Sequence, residues 1–80
     1  MSNRKITPVA HQTLVKVFEA EGFTLSRHRG DHLILTKPGI SRPVVIKTSP
    51  REVPVTHIVT YLRTAGISRE RYFELLDQVR

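Results

Sequence analysis

The sequence has 80 residues, contains no cysteine and carries a formal net charge of +6. This length predicts one domain, residues 1–80, with room for a sheet and its helices but none for an internal cofactor pocket. Disulfides and thiolate metal sites are excluded, no apolar run approaches membrane-spanning length, and Met1–Lys5 is basic without the apolar core of a signal peptide. We therefore expect a soluble cytoplasmic protein without a cofactor.

The first predicted helix begins at Thr7-Pro8, because a hydroxyl suits the N-cap and proline suits the first helical position. Residues 1–6 before it are expected to form a frayed arm. The helix carries one apolar stripe at helical spacing, formed by Leu14, Val17 and Phe18. Gly22 is expected to end the helix and to turn the chain directly into the first strand.

A β-hairpin is predicted over residues 24–37. Leu25 stands between polar neighbours, which is typical of a half-buried strand and predicts that Leu25 meets the helices. Gly30-Asp31 suits a two-residue turn with glycine in its first central position. His32 is therefore expected where the chain re-enters the sheet, close to Arg27–Arg29 across the turn.

A third strand and two more helices complete the predicted elements. Val44–Ile46 is a short β-branched strand, a helix is expected from about Pro54 to Ala65 with Gly66 as its stop, and Ser68 caps a last helix. The order α-β-β-β-α-α predicts an α+β fold, a three-stranded antiparallel meander with helices on one face. This is the outline of a double-stranded-RNA-binding domain, and it leaves the other face of the sheet open.

Positive charge is concentrated on the predicted strands. Between Thr24 and Arg51 the only acidic residue is Asp31, whereas six residues are basic: Arg27, Arg29, Lys37, Arg42, Lys47 and Arg51. A basic sheet beside nearly neutral helices favours a polyanion such as nucleic acid as the partner. The alternative is a solvated face that happens to be basic.

Four short motifs resemble one known family when they are taken in order. They are Gly22-Phe23, the turn sequence Arg29–His32, the segment Arg51–Ile67 with its L-R-T-A-G-I ending, and the tail Ser68–Leu76. Together they are similar to the motifs of HicA toxins, which are small ribonucleases of toxin–antitoxin pairs. The resemblance covers roughly residues 6 to 76 without an insertion.

This resemblance implies a catalytic role for His32 and matches Gly30 to the glycine that precedes the family's histidine. It also implies that messenger RNA in the cytoplasm is the substrate and that a HicB antitoxin is the neutralising partner. Two positions depart from the family pattern. Asp31 replaces the usual serine or threonine, and Lys47–Pro50 has no histidine where the family often has one.

The residues also permit ribonuclease chemistry independently of the resemblance. RNA carries its own nucleophile, the 2′-hydroxyl, so one histidine with arginines suffices for slow cleavage without a metal ion. No metal site is expected, because His28 and His32 lack carboxylate or thiolate partners at ligand spacing. The residues predicted to bind RNA are Arg27, His28, Arg29, Gly30, Lys37, Arg42 and Lys47.

Four other titratable side chains are candidates for a role at this site. His28 is either a second proton carrier or an exposed strand histidine. Asp31 is expected to be a turn residue and not a carboxylate that orients its neighbour, because adjacent strand side chains point to opposite faces. His11 and His57 are interpreted as solvated helix residues.

Two function classes therefore fit the sequence. The first is a metal-independent endoribonuclease, a stress-response toxin that cleaves messenger RNA with one catalytic histidine. The second is a non-catalytic RNA-binding module of the same fold. Both need the basic face of the sheet, but only the first needs His32.

Overall fold

The computed structural model describes residues 4–80 and confirms the α+β class. The elements in chain order are β1 (Val9–Ala10), α1 (His11–Ala20), β2 (Thr24–Arg29), β3 (His32–Thr36), β4 (Val44–Lys47), β5 (Glu52–Val53), α2 (Val55–Ala65) and α3 (Arg69–Val79). Strands β2, β3 and β4 form the predicted antiparallel meander, here called the main sheet. Within the described part of the chain, no helix combines the length and apolar character that crossing a membrane requires.

The helices cover one face of the main sheet, as predicted. Every second side chain along β3 and β4 points toward the helices. This side of the main sheet is here called the helix face, and its residues on β3 and β4 are all buried: Leu33, Leu35, Val44 and Ile46. The predicted helical contacts Leu14, Phe18, Ile58 and Leu62 are buried as well. The other side of the main sheet, here called the open face, carries Arg27, Arg29, His32, Ile34, Val45 and Lys47.

The prediction that Leu25 packs in the core is wrong, since its side chain is 40% exposed. Leu25 pairs with buried Leu35 and thus lies on the helix face, but β2 is an edge strand and all of its residues are exposed. Phe23, the residue before the strand, is buried instead. Its ring meets the Phe18 ring edge to face, with centroids 5.4 Å apart.

The predicted start of the first helix at Thr7-Pro8 is also wrong. Residues 9–10 form β1, which pairs antiparallel with β5, and α1 begins at His11. Val9 and its partner Val53 are both buried, and the His11 N–H donates to the Arg51 carbonyl at 3.2 Å. Burial and backbone pairing with a distant segment therefore override the local helix signal.

The expected frayed arm lies partly outside the described residues, which begin at position 4. For residues 4–6 the expectation is wrong. The Arg4 guanidinium forms an ion pair with Asp77 at 2.8 Å and lies 4.5 Å from the centroid of the Phe73 ring, and Ile6 packs against the core. This segment is therefore attached to α3.

Both predicted boundaries between α2 and α3 are confirmed. Gly66 ends α2 in the left-handed conformation, with φ +71°, and the Ile67 N–H returns to the Leu62 carbonyl at 2.9 Å. The Ser68 hydroxyl accepts a hydrogen bond from the Arg71 N–H at 3.1 Å and caps α3. These ends fix the direction in which α3 leaves α2 and packs on α1.

Helix α3 is joined to α1 by one charged contact and by buried aromatic packing. The Arg71 guanidinium binds the Glu21 carboxylate at 2.9 Å and also contacts Glu74, and these hydrogen bonds raise the pKa of Arg71. Tyr72 is fully buried, its hydroxyl has no hydrogen-bond partner among the described residues, and burial raises its pKa. The phenol therefore contributes to the core as a neutral ring.

Truncation of Phe18 tests this packing. We expect Phe18→Ala to lower the free energy of unfolding by about 3–5 kcal/mol, because it removes a fully buried ring from between α1 and the main sheet. Urea unfolding followed by circular dichroism measures the loss. Lys16→Ala, at an exposed position of the same helix, should change stability by less than about 0.5 kcal/mol. A loss that small for Phe18→Ala would contradict the packing described here.

Candidate functional site

His32 lies at the hairpin tip, where the sequence predicts it. Gly30 and Asp31 form the two-residue turn, with Gly30 at φ +56°, and His32 is the first residue of β3. In the strand register His32 stands opposite Arg29 of β2 on one side and Lys47 of β4 on the other. Directly paired residues share a face, so the imidazole has a cationic side chain on either side of it on the open face.

The register of β3 is fixed by its buried residues. Leu33 and Leu35 point into the core, so His32 and Ile34 must point to the open face. A β-bulge between Leu25 and Arg27 shifts the register of β2 and brings Arg27 opposite Ile34. Arg27 therefore joins Arg29 along the exposed edge of the open face.

The Asp31 carboxylate contacts the His32 imidazole, with 3.0 Å between Oδ1 and Nδ1. Asp31 is the turn residue that the sequence predicts, but the expectation that its carboxylate points away from His32 is wrong. Alternation applies within a strand, but Asp31 belongs to the turn, where its side chain is free to reach the next residue. An ionised carboxylate only accepts hydrogen bonds, so its proximity favours the tautomer with a hydrogen on Nδ1, which leaves the Nε2 lone pair available.

Thr48 fixes the position of this turn from the end of β4. Its N–H donates to the Asp31 carbonyl at 2.8 Å, and its hydroxyl donates to the same oxygen at 3.2 Å. The segment Lys47–Pro50, which has no histidine, therefore supports the Asp31–His32 pair through its backbone and one hydroxyl. Sequence reasoning missed this role because the contact joins two loops.

A groove of about 330 Å³ lies beside His32, between the open face and helix α2. Its lining residues are His32, Val45, Lys47, His57, Thr60 and Tyr61. The Tyr61 hydroxyl accepts from the Lys47 N–H at 3.4 Å, which holds α2 against the edge of β4. The rings of His57 and Tyr61, one helical turn apart, have centroids 6.2 Å apart.

The sequence interpretation of His57 as a solvated helix residue missed its place in this groove. The side chain is partly buried and shares the groove with His32. The i, i+4 spacing of His57 and Tyr61 is the sequence signal for this position. Each of the two directly precedes a buried residue of α2, Ile58 or Leu62. That spacing puts both rings on one flank of α2, toward β4.

The remaining predicted RNA-binding residues are distributed over several places. Arg29 and Lys47 flank His32 and Arg27 lies near them, whereas His28 pairs with Leu33 and so lies on the helix face, turned away from His32. The Lys37 ammonium lies 5.7 Å from the Phe23 ring centroid, beyond the far end of β3, and Arg42 is exposed in the loop before β4. The structure thus brings three of the predicted cations to the candidate site, and Gly30 forms the turn beside it.

The charge at the site is predominantly positive. Arg27, Arg29 and Lys47 share the open face with His32, and the one carboxylate in contact with His32 is that of the exposed Asp31. Among residues 4–80 there is no group of three or more His, Cys, Asp or Glu side chains that is arranged to hold a metal ion. The arrangement can bind a phosphate group and move a proton through an imidazole.

Comparison with known proteins gives one family. The family model described as HicA toxin of bacterial toxin–antitoxin matches residues 12–67. The matched region runs from α1 through the main sheet to the end of α2, so it includes the Asp31–His32 pair and the groove. A search of curated proteins finds no match.

The Asp31–His32 contact predicts which tautomer the neutral imidazole adopts. We expect ¹⁵N NMR spectra above neutral pH to show His32 mainly with its hydrogen on Nδ1, and Asp31→Ala to shift it toward the Nε2–H form that free imidazole favours. Asp77→Ala is the matched control, because it removes a carboxylate that binds Arg4 and not the site. A wild-type His32 that is mainly Nε2–H would contradict the orienting contact.

Proposed function

Because the chain belongs to the HicA toxin family of bacterial toxin–antitoxin systems, we propose that it is an endoribonuclease that cleaves messenger RNA. The observation that carries the proposal is the placement of His32. Its Nδ1 lies 3.0 Å from an oxygen of the Asp31 carboxylate, and Arg29 and Lys47 flank it on a face that the helices leave uncovered. A structural histidine needs neither an orienting carboxylate nor two cations beside it.

Substrate binding in this proposal is electrostatic. The cations Arg27, Arg29 and Lys47 share the open face, so a single strand of RNA can follow it with consecutive phosphates near these side chains. The partly exposed Ile34 and Val45 between them offer apolar surface on which a base or ribose packs. Affinity for phosphate thus comes mainly from groups other than the catalytic histidine.

Cleavage in this proposal uses the nucleophile that RNA supplies. The free Nε2 of His32 takes the proton of a 2′-hydroxyl, and the 2′-oxygen attacks the adjacent phosphorus. Arg29 and Lys47 stabilise the additional negative charge on the phosphoryl oxygens. The bond from phosphorus to the 5′-oxygen then breaks and leaves a 2′,3′-cyclic phosphate, and the departing 5′-oxygen takes up a proton to become a hydroxyl. Side chains supply the base and the charge stabilisation, so the proposal is metal-independent.

Membership of a toxin–antitoxin family implies an antitoxin partner. We propose that this partner is of the HicB type, that the pair acts in the cytoplasm, and that release of the toxin serves a stress response. The basic open face is the natural target for such an inhibitor, since covering it would block both phosphate binding and access to His32.

Replacement of His32 tests the catalytic assignment. We expect His32→Ala to lower the cleavage rate by roughly 10²–10⁴-fold, the usual contribution of a positioned proton-transfer group, with RNA affinity nearly unchanged. His11→Gln, outside the groove, should cleave like the wild type. Analysis of product ends should find 2′,3′-cyclic or 3′-phosphates, in excess chelator as well as without it.

Three results would contradict this proposal in different ways. A folded His32→Ala protein that cleaves like the wild type would remove the catalytic role of His32. Products with a 5′-phosphate, or activity lost to chelator, would replace the mechanism with a metal-dependent one. A wild-type protein that binds RNA and never cleaves it would favour the non-catalytic RNA-binding module.

The salt dependence of binding tests the open face. In the His32→Ala background, which keeps the RNA intact, three phosphate contacts predict that log affinity falls with log salt at a slope of about −2.1. Arg29→Gln should flatten the slope by roughly 0.7 and weaken different sequences alike. Lys16→Gln on α1 removes the same charge away from the open face and should leave the slope unchanged. A slope near zero for the His32→Ala protein would contradict nucleic-acid binding at this face.

A further inference from the structure

The proposed cleavage leaves one proton without a donor. When the bond to the 5′-oxygen breaks, that oxygen departs as an alkoxide, a poor leaving group unless it is protonated as it leaves. The group that took the 2′-proton, His32, lies on the entering side of phosphorus. In an in-line displacement the leaving oxygen is on the opposite side, so efficient cleavage calls for a second proton-transfer group in the groove.

We propose that His57 is the general acid that protonates the leaving 5′-oxygen. This inference rests on the proposed ribonuclease function and extends it to a two-histidine mechanism. His57 belongs to α2 and His32 to β3, and the two side chains line the same groove. A phosphodiester seated in that groove therefore meets one imidazole from the sheet and another from the helix.

The other polar groups that line the groove are poor candidates for this proton transfer. Besides the two histidines, the polar lining consists of Lys47, Thr60 and Tyr61. Ammonium and phenol groups ordinarily titrate near pH 10, and an aliphatic hydroxyl does so far higher, whereas an imidazole titrates near neutrality. A proton donor is most effective when it titrates near the working pH, which selects His57.

The two histidines also have different surroundings, and this divides their roles. The Asp31 carboxylate lies 3.0 Å from Nδ1 of His32, which favours the Nδ1–H tautomer and leaves the Nε2 lone pair free to accept a proton. The titratable groups that line the groove with His57 are Lys47 from β4, His32 from β3 and Tyr61 from its own helix. No carboxylate is among the described lining residues. Partial burial and the Tyr61 ring at 6.2 Å restrict where the His57 ring lies.

The proton and bond changes balance across the step. The P–O2′ bond forms as His32 gains the 2′-proton, and the P–O5′ bond breaks as His57 donates a proton to the 5′-oxygen. Afterwards His32 is protonated and His57 is neutral. Exchange with solvent returns both groups to their starting forms, so no further reactant is needed.

An RNA whose leaving group needs no proton distinguishes a general acid from a residue that only binds or positions the RNA. The cleavage site is first mapped with the wild-type protein, and an RNA oligonucleotide is then made with sulfur in place of the bridging 5′-oxygen at that site. A thiolate leaves without general acid assistance. We expect His57→Ala to lower cleavage of ordinary RNA by roughly 10²-fold or more and to lower cleavage of the sulfur-substituted RNA by less than about threefold.

His32→Ala should lower cleavage of both substrates, because both still require removal of the 2′-proton. Thr56→Ala is the matched control on α2, exposed and outside the groove lining, and should leave both rates unchanged. The wild-type rate should be bell-shaped in pH, and His57→Ala should remove the alkaline limb while His32→Ala removes the acidic one. Circular dichroism checks the fold, with His57→Gln as the second variant if the alanine protein unfolds.

The outcomes separate this inference from the function on which it rests. If the wild type cleaves no RNA, the ribonuclease proposal fails and His57 loses its role with it. If the wild type cleaves RNA and folded His57→Ala cleaves it equally well, the two-histidine mechanism fails while the ribonuclease proposal stands. Equal losses on both substrates would show that His57 only binds or positions the RNA, which also overturns the general-acid role.

Discussion

The register of β3 is the constraint on which the candidate site depends. Leu33 and Leu35 are buried under the helices, and the two-residue period of a strand then places His32 on the opposite, open face. A slip by one residue would exchange the faces, burying the imidazole and exposing two leucines. Several buried apolar side chains oppose such a slip, so the core itself holds His32 between Arg29 and Lys47.

One flank of helix α2 packs in the core, and another flank lines the groove. Ile58 and Leu62 pack inward, while the preceding residues His57 and Tyr61 face the groove beside β4. The contact from the Lys47 N–H to the Tyr61 hydroxyl joins the helix to the strand that carries one of the site's cations. The distance across the groove is therefore set by core packing, which gives the pair of histidines a rigid frame.

The features predicted correctly from sequence are those with a local chemical signature. Gly30 supplies the turn's positive φ, Gly66 ends α2 and Ser68 caps α3, and each acts on residues next to it. The sequence missed β1, because Val9 becomes a strand only by pairing with β5, a segment distant in the sequence. It misplaced Leu25, because whether an edge strand is covered depends on how far the helices reach across the sheet.

The same distinction explains the errors at the site. The position of His32 at the hairpin tip beside basic residues is predicted from turn chemistry and from neighbouring residues, both of which are local signals. The contact between Asp31 and His32 is not predicted by strand alternation, because Asp31 lies in the turn and not in a strand. The place of His57 in the groove was missed because it depends on which flank of α2 meets β4, a question of tertiary packing.

The substitution of Asp31 for the family's usual serine or threonine changes the electrostatics of the site in two opposing ways. A carboxylate close to Nδ1 favours the Nδ1–H tautomer of His32 more strongly than a hydroxyl does, since it can only accept a hydrogen bond. It also brings a negative charge close to where a phosphate would bind. Arg29 and Lys47 offset that charge, and Thr48 holds the turn so that the carboxylate stays on Nδ1. Within the proposed function, the cost in phosphate binding and the gain in orienting the base are thus separate consequences of one side chain.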